Sequence, residues 1–282
     1  MKRIVSIQDI SCIGRCSLTV ALPVLSAMGV ECGIMPTAVL SAHTMFPGFT
    51  CADLTGELLP IAQHWKTQNV HLNAIYTGYL ASTEQVETVL SVIDLLSDED
   101  TLLFVDPAMA DHGKLYAAFG PEFPAEMAKV VARAHITVPN ITEACLMTGR
   151  EYRTAYDEAY IRDLLQAVAA LGAKKVVLTG VSFAPDTLGC MAYDSETGEF
   201  FSYFNHRDGA SYHGTGDIFA ATTLGGMMRG LSLYEALTLA VDFTLETILV
   251  TRSDPDAAWY GVEFEQALPM LMRSLNLLGG EA

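Results

Sequence analysis

His213-Gly214-Thr215-Gly216-Asp217 leads straight into residues 218–229, which are apolar or small almost throughout and stop at Gly230. That order predicts a loop entering a helix, with the two glycines at the helix N-terminus. Free backbone N–H groups and the positive end of the helix dipole favour an anion there, and residues without a Cβ let it approach the backbone. Asp217 beside such a site either caps the helix, which would repel a bound phosphate, or takes a proton from an attacking hydroxyl. Alone, the pentapeptide is more often a Gly-rich turn with a capping Asp, so the rest of the chain decides.

Upstream of it, short β-rich runs at residues 3–8, 34–40, 74–77, 102–105, 135–138 and 174–179 alternate with amphipathic stretches. Among these are residues 82–96, opened by a Ser82-x-x-Gln85 capping box, and 156–171, stopped by Gly172. Near-continuous apolar strands alternating with helices predict an α/β fold, a three-layer α/β/α sandwich around a mostly parallel sheet covered on both faces. After residue 179 the rhythm changes: residues 187–193 and 199–204 read as antiparallel strands joined by a turn over 194–198. Helices follow, one opened by Ser232-x-x-Glu235 and the last over 264–278, where Pro269 disturbs the pattern. No linker, repeat or low-complexity segment interrupts residues 1–282, so a single domain is expected.

The chain is 51% hydrophobic and carries a formal net charge of −17, with only 16 Lys+Arg. So acidic a balance argues against nucleic acid and against an acidic membrane surface as partners. It also opposes a polyanionic ligand, which would need backbone N–H groups and a divalent cation to neutralise it locally. The basic-then-apolar start, residues 1–8, is too short for a signal peptide and meets Asp9 at once. No run reaches the length of a membrane span, residues 233–250 being broken by Glu235, Asp242 and Glu246, and a cytoplasmic protein is expected. Six cysteines, at positions 12, 16, 32, 51, 145 and 190, form no CxxC pair and suit neither a disulfide framework nor a zinc site, and Cys12 and Cys16, four apart near the first loop, read as small buried thiols.

In an open α/β sheet, ligands collect at the carboxyl ends of the parallel strands. Polar residues are expected there: Asp9 after the first strand, Ser41-Ala42-His43-Thr44 after the second, Thr77-Gly78-Tyr79 at the third, Asp106-Pro107 after the fourth, Asn140-x-x-Glu143 after the fifth and Thr179-Gly180 after the sixth. Asp106, Asp111 and Glu143 bring carboxylates to adjacent strand ends, and such hard oxygen ligands suit Mg²⁺ better than zinc. Singly, each is more often a helix cap or a solvated loop residue.

The segments Ser6-Ile7-Gln8 with Gly14, Ser41-x-His43-Thr44, Asp106-Pro107-x-Met109-x-Asp111 and Gly214-Thr215-Gly216-Asp217 carry a family likeness, to which Thr77-Gly78-Tyr79 and Pro139-Asn140-x-x-Glu143 add. In order and spacing the chain resembles the ribokinase-like superfamily and, within it, the pyridoxal (pyridoxine, pyridoxamine) kinases. The glycine and aspartate motif marks the superfamily; the His43-Thr44 segment and the first loop favour the vitamin B6 branch.

The resemblance implies ATP-dependent phosphorylation of the 5′-hydroxyl of a B6 vitamer, with Asp217 as base and the N–H groups of Gly214, Thr215 and Gly216 around the transferring phosphoryl group. By the same likeness Asp106 and Glu143 would hold Mg²⁺. Asp106, Asp111, Asn140, Glu143, Thr179 and Thr215 would surround the nucleotide, and Asp9, Thr44, Tyr79 and Asp217 the vitamer. A homodimer is implied, and a monovalent cation is admitted beside Mg²⁺. Asp9 stands where relatives commonly carry a serine, and a carboxylate there favours a cationic ring or amine. Two alternatives stand: a hydroxymethylpyrimidine kinase of thiamin synthesis, and a non-catalytic vitamin or nucleotide binder, which has no need of Asp217.

Overall fold

Runs such as Ala74-Ile75-Tyr76-Thr77, buried at every position, make strands that can lie only inside a covered sheet. The computed structural model describes residues 1–209 and 212–278 and bears this out. It opens with β1 (Arg3–Ser11), α1 (Leu18–Ala27), β2 (Glu31–Leu40), β3 (Cys51–Asp53), α2 (Thr55–Thr67), β4 (Ala74–Thr77), α3 (Thr83–Leu96) and β5 (Leu102–Val105). A separate hairpin, β6 (Ala110–Asp111) with β7 (Lys114–Leu115), precedes α4 (Phe123–Val131), β8 (Ile136–Thr137), α5 (Ile141–Thr148), α6 (Glu158–Ala169) and β9 (Lys175–Val181). There follow β10 (Thr187–Asp194), β11 (Phe200–His206), α7 (Thr215–Met228), α8 (Leu233–Ser253) and α9 (Phe264–Ser274).

The main sheet runs β11-β10-β9-β8-β5-β4-β1-β2-β3. Pairing is parallel from β9 across to β2 and antiparallel at both edges. Successive side chains along each strand face opposite layers. Val5, Ile75, Val105 and Leu178 join one core, shared with buried residues of α2, α3, α4, α5 and α6, while Ile4, Tyr76, Phe104 and Val177 join the other, shared with α1, α7, α8 and α9. The layers are those of the expected α/β/α sandwich.

Helix α7 is small and apolar all round because it is packed on every side. A Cβ at Gly225 would lie 2.3 Å from the Met28 sulfur below α1, and one at Gly226 would lie 3.1 Å from Ala236 Cβ of α8. Ile218, Ala220, Ala221 and Leu224 are fully buried; truncating a leucine so placed costs roughly 2–5 kcal/mol. The site-bearing turn is therefore fixed to a rigid element.

Several boundaries differ from expectation. β1 continues to Ser11, so Asp9 lies inside it at a register shift between Gln8 and Ile10, not after it. Thr179 and Gly180 likewise lie within β9, and Asp111 sits in the β6–β7 hairpin, not at a strand end of the main sheet. Edge strand β3 and that hairpin, three and two residues per strand, are too short to show a period. α6 starts at Glu158, capped by Asp157, and α9 ends at Ser274.

The Ser232–Glu235 capping box forms in both directions. At α3 only half of it does: Ser82 Oγ accepts the Gln85 N–H, but Gln85 Oε1 accepts from Ala81 N at 2.7 Å and its amide donates to Thr37 O and Thr55 Oγ1. The six cysteines are free; Cys16 is buried as expected, whereas Cys12, just past β1, is exposed. Among the described residues no helix is long and apolar enough to cross a membrane.

Candidate active site

Gly214 caps α7 with φ of +81°, in the left-handed region. A Cβ here would stand 1.9 Å from the Arg15 carbonyl oxygen, so both the dihedral and the neighbouring loop demand glycine. Thr215 begins the helix and its hydroxyl donates to Tyr212 O at 3.1 Å. Gly216 comes next, with open space where a side chain would point. The turn thus leads into a helix N-terminus, where the first N–H groups have no carbonyl partner within the helix.

Asp217 occupies the third helical position and caps nothing. Burial pushes its carboxyl up to about 7; the Ser17 N–H pulls it back down, and the charge of Asp9 adds to the rise. Asp9 itself is buried, accepts from Ser11 Oγ at 3.1 Å, and is raised mainly by burial. Its charge also reaches Tyr79, whose phenol burial lifts to about 12, and the buried Cys16 thiol. Ser17 links the two acids, its hydroxyl donating to Asp9 and its N–H to Asp217. Thr44 is exposed on the loop after β2 and hydrogen-bonds to neither Asp9 nor Tyr79. Its neighbour His43 is closer to the turn: the His43 ring lies 5.3 Å from that of His213, and burial with His213 lowers its pKa.

Two further acids, Asp106 and Glu143, are buried. Burial, then the charges of Glu143 and Asp217, hold the Asp106 carboxyl far above the usual carboxylate range. Among the described residues no hydrogen-bond donor reaches the Asp106 carboxylate. Glu143 is different. Its Oε2 accepts Asn140 N at 2.8 Å and its Oε1 accepts Met109 N at 3.1 Å and Ala110 N at 3.5 Å, which offsets part of the burial that lifts it to about 8. Asn140 returns the bond through its own Oδ1 and also donates to Ala110 O, so the Asn140-x-x-Glu143 pair is a complete capping box that pins the loop before β6. Asp111 is exposed and accepts from His112 N.

Among the described residues no group of three His, Cys, Asp or Glu side chains is arranged to hold a metal alone. Mg²⁺ keeps several waters and takes one or two carboxylates plus phosphates, so a lone free acid such as Asp106 fits that habit.

A cavity of about 320 Å³ runs along the N-terminus of α7. Gly214, Thr215, Gly216, Asp111, Asn140, Thr179 and Tyr116 supply its polar lining; Leu188 and Phe219 join Val241, Leu245 and Ile248 in its apolar lining. Val241, Thr244, Leu245 and Ile248 follow the i, i+3, i+4, i+7 spacing of one helical face, the signal that could have marked α8 as a wall of the site. Tyr116 also escaped the sequence reading. Burial and the charges of Glu143, Asp111, Asp106 and Asp217 raise its phenol far above the usual range.

The phosphomethylpyrimidine kinase family profile matches residues 25–257. A pyridoxal kinase of Arabidopsis thaliana is 30% identical over 260 residues, 88% of this chain and 81% of that protein. A hydroxymethylpyrimidine/phosphomethylpyrimidine kinase of Streptomyces coelicolor is 28% identical over 181 residues, 64% of each chain. Among solved structures, a Bacteroides thetaiotaomicron protein provisionally described as a phosphomethylpyrimidine kinase, crystallised with pyridoxal, superposes with a TM-score of 0.91 at 34% identity, covering 96% of this chain and 95% of the other. Pyridoxal kinase from Lactobacillus plantarum gives 0.88 at 29% identity, with 98% of both chains covered. The chain therefore belongs to the phosphomethylpyrimidine kinase family with its ribokinase-like fold, on the pyridoxal kinase branch, and is a kinase that uses ATP as co-substrate.

Proposed function

We propose that this kinase transfers the γ-phosphoryl group of ATP to the 5′-hydroxyl of a vitamin B6 vitamer, feeding pyridoxal 5′-phosphate salvage. The observation that carries the reading is Asp217: a carboxyl held near neutrality by burial, three residues past a glycine N-cap that offers free N–H groups. Asp217 accepts the proton of the attacking hydroxyl, and the N–H groups of Gly214, Thr215 and Gly216 stabilise the charge on the transferring group. Phosphoryl transfer passes through a loose transition state, so alignment and charge neutralisation matter more than base strength.

ATP lies in the cavity, with its base against the apolar face of α8 and its phosphates toward Thr179, Asn140 and the glycine turn. Mg²⁺ would be held by Asp106, with the charge of Glu143 nearby, and would supply the positive charge that an acidic site lacks. The vitamer sits against Asp9 and Tyr79, with Thr44 on the loop at the mouth. Assembly as a homodimer is inferred from the family likeness, and light scattering tests it.

Asp217→Asn removes the base and keeps the shape. We expect kcat to fall about 10²- to 10⁴-fold with ATP and vitamer affinity largely retained. A variant as active as wild type would end the assignment, and one that loses binding along with turnover would point to a structural role.

The family profile and the Streptomyces coelicolor relative favour a second reading, a hydroxymethylpyrimidine kinase. A coupled ADP-release assay on both alcohols separates them by their kcat/KM ratio.

A further inference from the structure

The cavity offers a triphosphate little positive charge. Among the described residues that line it there is no lysine and no arginine, and two carboxylates, Asp111 and Asp208, are present. The Arg252 guanidinium is already paired with Asp208, and Arg15, whose backbone meets the glycine turn, sends its own to Glu263 at 3.6 Å and Glu265 at 3.3 Å. Helix N–H groups and one divalent cation leave part of a triphosphate's charge uncovered.

The β6–β7 hairpin carries a cation to the rim. His112 and Gly113, with φ of +50° and +77°, reverse the chain within two residues, so Asp111 and Lys114 stand directly opposite each other. Tyr116 continues the ladder, its N–H donating to Met109 O at 2.9 Å. Residues paired across a hairpin project to the same side, as do residues two apart along a strand. Asp111 and Tyr116 both line the cavity, and Lys114 is the third member of their side. The hairpin is held on α5: Gly113 N donates to Thr142 Oγ1 at 3.0 Å, and Asn140 Nδ2 donates to Ala110 O at 2.8 Å. Lys114 itself is exposed, and among the described residues its ammonium pairs with no carboxylate. Even Asp111 is turned back on the turn, accepting His112 N at 2.8 Å with His112 Nε2 at 3.4 Å. A chain with 33 Asp+Glu to 16 Lys+Arg has acids to spare, yet this lysine has taken none.

We propose that Lys114 is a clamp for the terminal phosphates of ATP. With nucleotide in the cavity, its flexible stem brings the ammonium onto β- and γ-phosphoryl oxygens, while the N–H groups of the glycine turn take the others. A compact charge on a long stem, rooted in a fixed hairpin, suits a contact made only when the ligand is present. This rests on the placement of ATP given above and adds to it the residue that neutralises charge where the backbone does not.

The test compares ligands with and without those phosphates, in the full chain with Mg²⁺. By calorimetric titration Lys114→Gln is expected to bind ATP about tenfold or more weakly and AMP within about twofold of wild type. Lys114→Arg, which keeps the charge, should stay within about threefold of wild type for ATP. A wild-type arm needs no variant: inorganic tripolyphosphate should slow acetylation of Lys114 about fivefold or more, read by mass spectrometry of its peptide, and adenosine should not. Equal labelling with and without tripolyphosphate, or a Gln variant that loses ATP and AMP alike or loses neither, would overturn the clamp and leave the ATP site standing. If Gly216→Ala also binds ATP as wild type does, the placement of ATP in the cavity fails and this inference with it.

Discussion

Gly214→Ala tests the catalytic turn through its backbone. The added Cβ would start 1.9 Å from the Arg15 carbonyl oxygen, and ordinary contact begins near 3.4 Å, so the two loops would have to part by about 1.5 Å. The dihedral adds to this, since a non-glycine residue at φ of +81° is disfavoured by roughly 1–2 kcal/mol. A displacement of about 1 Å in a catalytic constellation can lower turnover about 100-fold. The turn carries the N–H groups assigned to the phosphoryl group, so kcat should fall by at least that much in a coupled ADP-release assay, with the melting temperature down by a few degrees.

Gly216→Ala is the control. Nothing stands within 4 Å of its Cβ and its φ is ordinary, so the helix should gain up to about 1 kcal/mol. Its methyl group would enter the space given to the phosphates, raising KM for ATP in a protein that melts no lower than wild type. Gly214→Ala with kcat within threefold of wild type, or Gly216→Ala destabilised with KM unchanged, would refute the reasoning.

Stability without ligands should fall as pH rises from 6 to 9. Asp217 near 7 and Glu143 near 8 hold protons in the folded state that the unfolded chain gives up near 3.8 and 4.5, so this contribution is full at low pH and lost through the folded values. Calorimetry should show Asp217→Asn flattening the lower part of that decline, and Mg²⁺ raising the melting temperature more at pH 8 than at pH 6; a curve that rises over this range would contradict the burial of these acids. Leu245→Asp, on the apolar face of α8, should raise KM for ATP about tenfold or more by removing apolar contact and adding charge, with KM for the vitamer unchanged. Equal effects on both substrates would remove α8 from the nucleotide wall.

How far the residues announced the fold depended on length and period. Ala74–Thr77 and Leu102–Val105 lie where their apolar runs put them, because strands buried on both faces leave no alternative composition. Cys51–Asp53 is exposed throughout and three residues long, so it carries neither an apolar run nor an alternation to read. Asp9 was expected past the end of β1 because a charged residue reads as a strand terminator. It is tolerated inside because Ser11 and Ser17 solvate it.

At the site, Gly214 to Asp217 was legible from local order alone, whereas Tyr116 was not, since its place in the cavity lining and the charges of Glu143 and Asp217 that act on it come from the fold and not from its neighbours in the chain. Asn140 and Glu143 matched a helix-start signature as well as a ligand motif, and the capping geometry is where their polar atoms are spent.

The contact between Gly214 and Arg15 is made with a carbonyl oxygen, and the same loop receives the His43 N–H at Ile13 O, 2.7 Å away. Position 15 can therefore change its side chain without altering what the glycine meets, and no pattern of paired substitutions would betray the dependence. For anyone transplanting this chemistry onto another α/β scaffold, the unit to move is three loops together, residues 12–17, 41–45 and 212–217. The pentapeptide on its own would arrive without the surface against which it is shaped.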